Sequence, residues 1–504
     1  MTTHSACSGR SHRFCSSSFN SLVAILVATA FAASCGGGAG SGTGTNFSGN
    51  TQVVVLASST ANDQLVEFPL TLNSLTLTNQ SGKTVALFSS PISAEFIHLN
   101  GNLEPLATVS VPQGVYISAS AVYGGTAPVC VGLQSPPPGI FIDGAINGPG
   151  TPTVTVNLPA PITVTGTAAG LVLNLQVSAS APFSGGCAQN FSLSAAASPV
   201  FNLTPLVIAA QPTNSANGKA LGLVGTITSI GTTGTGFTAT APNGYWNGYP
   251  PTWQVSTNGS TVFQGIGGVS GLSTGMPVDM DLALQADGSL MATRVGVYET
   301  NTTSLSAAYG PPSAIYPSGY GSADPVMDAL DVQQQGDLPE FNDIFSGLDA
   351  ATSQISGQFT NLQNLPFAAT FNAANMVAGQ NVLVTSNAPP VDRFLPLPLP
   401  LASMTLMPQV INGTVSEIST SGGFTTYTVT LAPYDLFPTF AVQPGQTTLL
   451  TNPDTVMVYA DSDTQMLNSG AVSVGGIFRF YGLVFNDEGT LLMDCAQIND
   501  GVPE

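Results

Sequence analysis

The sequence predicts an all-β protein, an N-terminal antiparallel β-sandwich followed by two or three small barrel repeats. Three observations predict it. The dominant hydrophobic period is two: "SLTLTN" (74–79), "VYISASAV" (115–122), "TVTVNL" (153–158) and "LVLNLQVSAS" (171–180) alternate apolar and polar residues, with Thr and Val frequent. The 55 Gly and 37 Pro among 504 residues break the chain too often for long helices. The hydrophobic fraction, 43%, is too high for disorder although only 7% of residues are charged. Short strands with one wet face pack as antiparallel sheets or close into barrels.

The first element is a leader. Arg10 and Arg13, with no acidic residue, precede an apolar run from Leu22 to Ala33 and a small-residue exit at Cys35, the layout of a secretory signal. The run is shorter than the roughly 20 residues that span a bilayer, so residues 1–35 should export the chain without anchoring it as a helix. The exit "AASC" resembles the bacterial lipobox, with Ala32 where Leu is usual. That resemblance implies lipidation of Cys35 and attachment to a membrane through the lipid, and Gly36 resembles outer-membrane sorting. Cleavage near "ATA", giving a soluble secreted protein, is the alternative. Residues 36–49 read as a flexible Gly/Ser/Thr linker.

Charge and cysteine usage suit an exported protein. Seven Lys and Arg stand against 27 Asp and Glu, a net charge of −20, and all the acids follow Cys35. Nucleic acid and anionic lipid headgroups are disfavoured as partners. Of the six cysteines, Cys7 and Cys15 fall in the leader. Cys130 in "APVCVG" and Cys187 in "SGGCAQ" sit in loop-like sequence, and an oxidising compartment makes them an expected disulfide. Cys495, in the strand pattern "LLMDCAQI", reads as a buried thiol.

Residues 50–210 make one β-sandwich on the strand spacing, with "NQSGK" (79–83) as a hairpin turn. Three stretches, "EFPLTLNSLTLTNQSGKTVALF", "AEFIHLNGNLEPLATVSVPQGVYISASAV" and "VFNLTPLVI", resemble the bacterial domain of unknown function 4382 of envelope lipoproteins, over about residues 52–208. The resemblance implies an envelope location and a fold, and no reaction.

The rest of the chain repeats itself. "GLVGTITSIGTTGTGFTAT" (222–240) matches "VINGTVSEISTSGGFTTYTVT" (410–430), setting Gly225 against Gly413. "STGMPVDMDLALQADGSLMATRV" (273–295) matches "SVGGIFRFYGLVFNDEGTLLMDCAQI" (473–498), setting Gly275 against Gly475. A weaker middle copy shows "ISGQFTNL", "VAGQNVLV" and "MTLMPQV". Three copies of one strand-rich module follow: repeat 1 over 221–300, a degenerate repeat 2 over 354–410 and repeat 3 over 411–500, with a loop-rich acidic segment at 301–353. The opening glycine strand, the glycine turn before an alternating strand and the Asp/Glu-Gly hairpin resemble the domain of unknown function 5666. This implies small OB-like barrels.

Catalytic chemistry finds little support. "GLSTG" (271–275) fits G-x-S-x-G, but it leads into a strand and the sister copies read "NMVAG" and "AVSVG", so it is a turn and not a nucleophile elbow. His98 is the one histidine after the leader and reads as a strand residue far from Ser273. One histidine and no paired thiols exclude a conventional zinc site. Oxygen ligands for calcium exist in the run Asp324, Asp328, Asp331, Asp337, Glu340, Asp343 and Asp349 and in the pair Asp461 and Asp463, but neither follows EF-hand spacing. A solvated loop and a hairpin turn explain them, so no metal or cofactor is expected.

One stretch motivates a function. Both tryptophans, Trp246 and Trp253, fall in "NGYWNGYPPTWQ" (243–254) with Tyr245 and Tyr249, amid Asn, Gly and Pro that read as a loop of the first barrel. Exposed rings of this kind stack on sugars or partner surfaces. The expectation is a non-catalytic envelope protein that binds glycan or another surface polymer through Tyr245, Trp246, Tyr249 and Trp253. An envelope hydrolase using scattered carboxylates and a spacer with no ligand are the rival readings. The second predicts rings folded back against the barrel.

Overall fold

The structure, a computed structural model, describes residues 47–504 apart from 61–64, 132–139, 143–152, 181–198, 207–218, 242–250, 301–305, 317–325, 331–340, 389–398, 446–449, 468–470, 501–504 and scattered single or paired positions. The leader, Cys35 and most of the linker lie outside the described residues. Among the described residues no helix is long and apolar enough to cross a membrane.

The first region is built from β1 (Asn50–Ser59), β2 (Leu65–Glu67), β3 (Pro69–Asn79), β4 (Thr84–Phe88), β5 (Ile92–Glu95), β6 (Glu104–Pro112), β7 (Gly114–Thr126), β8 (Val129–Val131), β9 (Ile140–Ile142), β10 (Thr153–Val156), β11 (Ile162–Val164), β12 (Ala168–Leu175) and β13 (Phe201–Leu206). One sheet has the order β13-β12-β1-β6 and the other β10-β7-β3-β4, with β5 on β3 and β11 on β7. Strands β2, β8 and β9 form a small third sheet. The alternating residues read from the sequence point inward, so that Leu75, Leu77, Tyr116, Leu171 and Leu173 share one core with Phe68, Phe96 and Phe201. The turn at 79–83 is made by Asn79, whose side-chain oxygen accepts from the N–H groups of Ser81 (3.0 Å) and Lys83 (2.9 Å).

The sandwich is not wholly antiparallel. Strand β1 runs parallel to β12, from Gln52 opposite Ala168 to Ser59 opposite Leu175. Parallel neighbours need a long crossover, and here β2 to β11 all intervene in sequence. Strand β1 is also buried on both faces. Val53, Val55 and Ala57 face the sandwich core, whereas Val54 and Leu56 belong to the core of the barrel that follows. The unbroken apolar run "VVVLA" is the sequence mark of such a strand.

The first barrel comprises β14 (Lys219–Ile230), β15 (Gly236–Thr240), β16 (Thr252–Ser256), β17 (Val262–Gln264), β18 (Pro277–Leu284) and β19 (Leu290–Val297). Antiparallel pairs run β16-β15-β14-β18-β19, and a parallel β16–β19 pair closes the ring. Next come β20 (Ser306–Gly310), β21 (Pro312–Tyr316), β22 (Val326–Leu330), β23 (Phe341–Ser346), β24 (Thr352–Ile355), β25 (Val382–Ser386) and β26 (Leu399–Leu406). The last barrel is β27 (Gln409–Ser421), β28 (Phe424–Thr430), β29 (Thr455–Leu467), β30 (Ile477–Asp487) and β31 (Thr490–Asp500), closed in the order β27-β28-β29-β31-β30.

The outer two share one circuit, and the glycines aligned in sequence hold equivalent places. Gly225 pairs with Val278 and Gly413 with Phe478. A Cβ at either would press on the carbonyl oxygen of Thr240 or Thr430 across the neighbouring strand. Gly275 and Gly475 (φ +92° and +84°) make the turn before the alternating strand.

The middle repeat is larger than expected. The segment taken as a loop-rich acidic stretch at 301–353 contains β20 to β23 and the start of β24, and these join β25 and β26 in one sheet of order β20-β25-β26-β23-β22-β21. This is the circuit of the other barrels with its first strand divided into β20 and β21. Strand β24 lies parallel to β26 as β17 lies parallel to β19. The repeat therefore runs from β20 to β26 and not over 354–410 alone. Its sparse hydrophobic spacing concealed the strands.

The expectation of one wet face per strand fails at β18 and β30. Every residue of β18 is buried. In β30, Phe480 and Val484 enter the last barrel's core, while Leu483 and Phe485 enter the middle repeat's core. Because Leu56 serves the first barrel from a sandwich strand, Leu56→Ala should cost about 2–5 kcal/mol. It should also lower hydrogen-exchange protection in β18 as well as in β12. Loss confined to β12 would show that the two cores are independent.

Candidate functional site

The hairpin β15–β16 carries the aromatic stretch. Its strands pair from Gly236 opposite Ser256 to Thr240 opposite Thr252, and the N–H of Ala241 donates to the Pro251 carbonyl at 3.0 Å. The segment between them is thus the hairpin's connection, rooted at fixed ends. Tyr245, Trp246 and Tyr249 lie outside the described residues. Trp253 does not belong to the loop. It sits on β16 at 2% exposure, and its indole Nε1–H donates to the Pro105 carbonyl of β6 at 2.6 Å. The period of two in "TWQVS" (252–256) explains the correction: Trp253 and Val255 point inward and Thr252 and Gln254 outward. Trp253 fastens the first barrel to the sandwich and is withdrawn from the expected ligand platform. Gly225 leaves room for the ring, whose Cζ3 is 3.0 Å from where a Cβ would stand.

Beside this fastening is a cleft of about 350 Å³. Strands β4 and β6 each end their sheet, and the cleft opens between these edges beneath Pro251 and Thr252. Phe88, Leu106 and Pro251 are buried and make an apolar floor, while Ser90, Thr108 and Thr252 are exposed and set hydroxyls at the rim. Among the described residues no charged side chain lines it.

A second polar cluster is buried where the first barrel meets the middle repeat. Arg294 on β19 donates to Asp279 through Nη1 (2.9 Å) and Nη2 (2.7 Å) and to Asp281 through Nε (2.8 Å). Burial works against the charged guanidinium, but the two carboxylates outweigh it and hold the Arg294 pKa above its ordinary value. Ser356, just after β24, donates to Asp279 at 3.1 Å, and the N–H of Gly357 donates to the Tyr298 hydroxyl at 2.9 Å. Burial, with the nearby Asp279 charge, raises the Tyr298 pKa. Tyr481 of β30 reaches Gln358 at 3.1 Å. The cluster is closed to solvent and joins elements of three repeats, which suits docking and not ligand exchange.

The outer face of the last barrel presents a third feature. Cross-strand pairing lines up Ser419, Thr426, Tyr459 and Asp494 on neighbouring strands. The Tyr459 ring lies 5.1 Å from Phe367 and 6.3 Å from Phe424. Burial, reinforced by the Asp461 charge, pushes the Asp494 pKa up to about 7. Asp461 itself folds a local turn, accepting from the N–H of Asp463 at 2.8 Å and of Thr464 at 3.2 Å.

The remaining candidates are scattered. Ser273 occupies the turn before β18, with its N–H directed to the Met276 sulfur. Cys130 lies on β8, where a loop was expected, pairing with Leu65 and Phe141. Cys187 and the Cys130–Cys187 disulfide lie outside the described residues, as does His98. Cys495 is free and buried, and burial raises its pKa. Asp328 and Asp343 sit on adjacent strands β22 and β23, Asp349 is exposed beyond them, and Asp324, Asp331, Asp337 and Glu340 lie outside the described residues. Among the described residues no group of three or more His, Cys, Asp or Glu could hold a metal ion.

Residues 224–296, the first barrel, match the family described as "Domain of unknown function (DUF5666)". No curated protein matches the chain. A solved structure, "drosophila Unr CSD456", is similar at 9% identity, covering 56% of this chain and 99% of that chain with a TM-score of 0.13.

Two measurements test these environments. Arg294→Met strands two buried carboxylates and should cost about 3–5 kcal/mol in denaturant unfolding. Arg294→Lys should recover only part of it, because an ammonium lacks the guanidinium's fork. Asp494 has its folded pKa raised from 3.8 to about 7, so its contribution is complete at acidic pH and lost as pH rises through that window. Asp494→Asn should accordingly stabilise the protein at pH 8 by roughly 2–4 kcal/mol and leave it little changed at pH 3.5. Equal effects at both pH values would contradict the shift.

Proposed function

We propose that the protein is a non-catalytic cell-envelope lipoprotein, anchored through a lipid on Cys35, that binds a glycan or another envelope polymer. The leader layout and the "AASC" exit support the location, together with the resemblance of residues 52–208 to the envelope lipoprotein domain 4382. The observation that carries binding is the rooting of the β15–β16 hairpin. Its connection holds Tyr245, Trp246 and Tyr249, and its two ends are fixed by the Ala241–Pro251 hydrogen bond and by Trp253 anchored to Pro105. Fixing both ends of the connection lowers the ordering cost of binding. The loss of Trp253 from the platform leaves three aromatic residues, enough to stack successive rings.

The test is binding of the purified exported chain to cell-wall polysaccharides by isothermal calorimetry and glycan array. Trp246→Ala should weaken binding at least tenfold with unchanged stability, whereas Asp461→Asn and Asp494→Asn should leave it intact. Retained binding in Trp246→Ala, or turnover of the polymer that disappears in either Asn variant, would overturn the reading. Globomycin treatment of producing cells should leave an unprocessed precursor, and normal processing would reject lipidation at Cys35.

A further inference from the structure

We propose that the cleft between β4, β6 and β16 is the primary ligand site and that it takes an uncharged saccharide. The inference rests on the binding reading above and adds the place and the chemistry. Three observations converge. The chain carries a net charge of −20, yet among the described residues this cleft is lined by no charged side chain. Its composition fits a sugar ring, which offers an apolar C–H face and a rim of hydroxyls. The Phe88, Leu106 and Pro251 floor answers the first, and Ser90, Thr108 and Thr252, each able to donate and accept, answer the second.

The walls are also held in place. Leu106 follows Pro105, whose carbonyl accepts from Trp253, and Thr252 precedes Trp253. The 2.6 Å hydrogen bond therefore sits one residue behind each wall. Relative sliding of the barrel and the sandwich would break it. Both sheet edges bordering it end their sheets, leaving backbone polar groups along β6 available to hydroxyls. Pro251 also terminates the aromatic connection of the hairpin, so a polymer seated in the cleft passes the root of that connection.

An anionic polymer is excluded by the same chemistry. The cleft offers no cation, and the Lys and Arg of the described residues, few as they are, lie elsewhere. The site should prefer neutral hexose or N-acetylhexosamine chains over uronic acid chains, and its affinity should change little with salt.

The experiment uses the full exported chain and a panel of hexasaccharides: cellohexaose, maltohexaose, chitohexaose and, as the anionic control, hexagalacturonate. Thr108 and Thr252 are exposed, so Thr108→Arg and Thr252→Arg fill and charge the cleft without disturbing the core. A neutral hexasaccharide should bind, and each variant should lose affinity at least tenfold with unchanged melting. Neutral-sugar binding that persists in both variants but fails in Trp246→Ala overturns the cleft and leaves the binding reading standing. Preference for hexagalacturonate overturns the uncharged class. Absence of binding to the hexasaccharides and to intact cell-wall polysaccharides alike overturns the binding reading and this inference together.

Discussion

Arg294 lies buried between two carboxylates, and the junction of the first barrel with the middle repeat is built around that cluster. A buried ion pair is tolerated only if each charge is met and the remaining polar atoms are bonded. Asp279 obtains its last partner from Ser356 of the middle repeat, and Asp281 accepts from the N–H of Gly222 at 2.8 Å. Within the first barrel Arg294 meets both carboxylates, and the Ser356 bond reaches across from the middle repeat. A shift of either repeat would break that bond and the one from Gly357 to Tyr298. The corresponding place in the last barrel carries Arg479 and Tyr481, and Tyr481 turns back to Gln358 beside the same junction. Docking specificity thus comes from polar groups, while the adhesive area comes from apolar ones such as Leu483 and Phe485.

The other junction is made differently. Between the sandwich and the first barrel the linking groups are apolar, with Val54 and Leu56 of β1 entering a core that contains Trp253. One indole hydrogen bond supplies the direction that hydrophobic burial lacks. The close approach needs Gly225 beneath the ring and Gly288, whose turn (φ +83°) lies against Gln52 of β1. The same glycines that mark the repeat in sequence therefore have separate tasks: one set closes the barrels and another lets them meet the neighbouring domain.

What could be read from the sequence were the features set by local chemistry. Period-two alternation located β3, β7, β12 and β18, and glycines that need positive φ located the turns at 275 and 475. What could not be read depended on the far side of each strand. Alternation in "PVDMDLAL" (277–284) signals a polar face, but whether that face meets water or another repeat is decided by sequence elsewhere. Trp253 shows the same limit. Its neighbours Pro250 and Pro251 suggest a loop, whereas the strand period starting at Thr252 buries it. The strands of the middle repeat escaped notice because their own sequence is irregular and their pairing is supplied by β25 and β26.

If the chain served only to set a distance from the membrane, the junction of sandwich and barrel would be under the same pressure to pack as the junction of the barrels, where Arg294 meets Asp279 and Asp281 and Ser356 donates to Asp279. Instead β4 and β6 stop short of one another, and the residues along the opening are neither charged, as a solvated surface of this acidic chain would be, nor wholly apolar, as a buried contact would be. Exposed hydroxyls above a buried aromatic floor are stable in water and gain from a ligand that is itself half apolar. The polar interlock at one end of the first barrel and the hydrophobic one at the other leave this opening beside the second, lined by apolar side chains and by the hydroxyls of Ser90, Thr108 and Thr252.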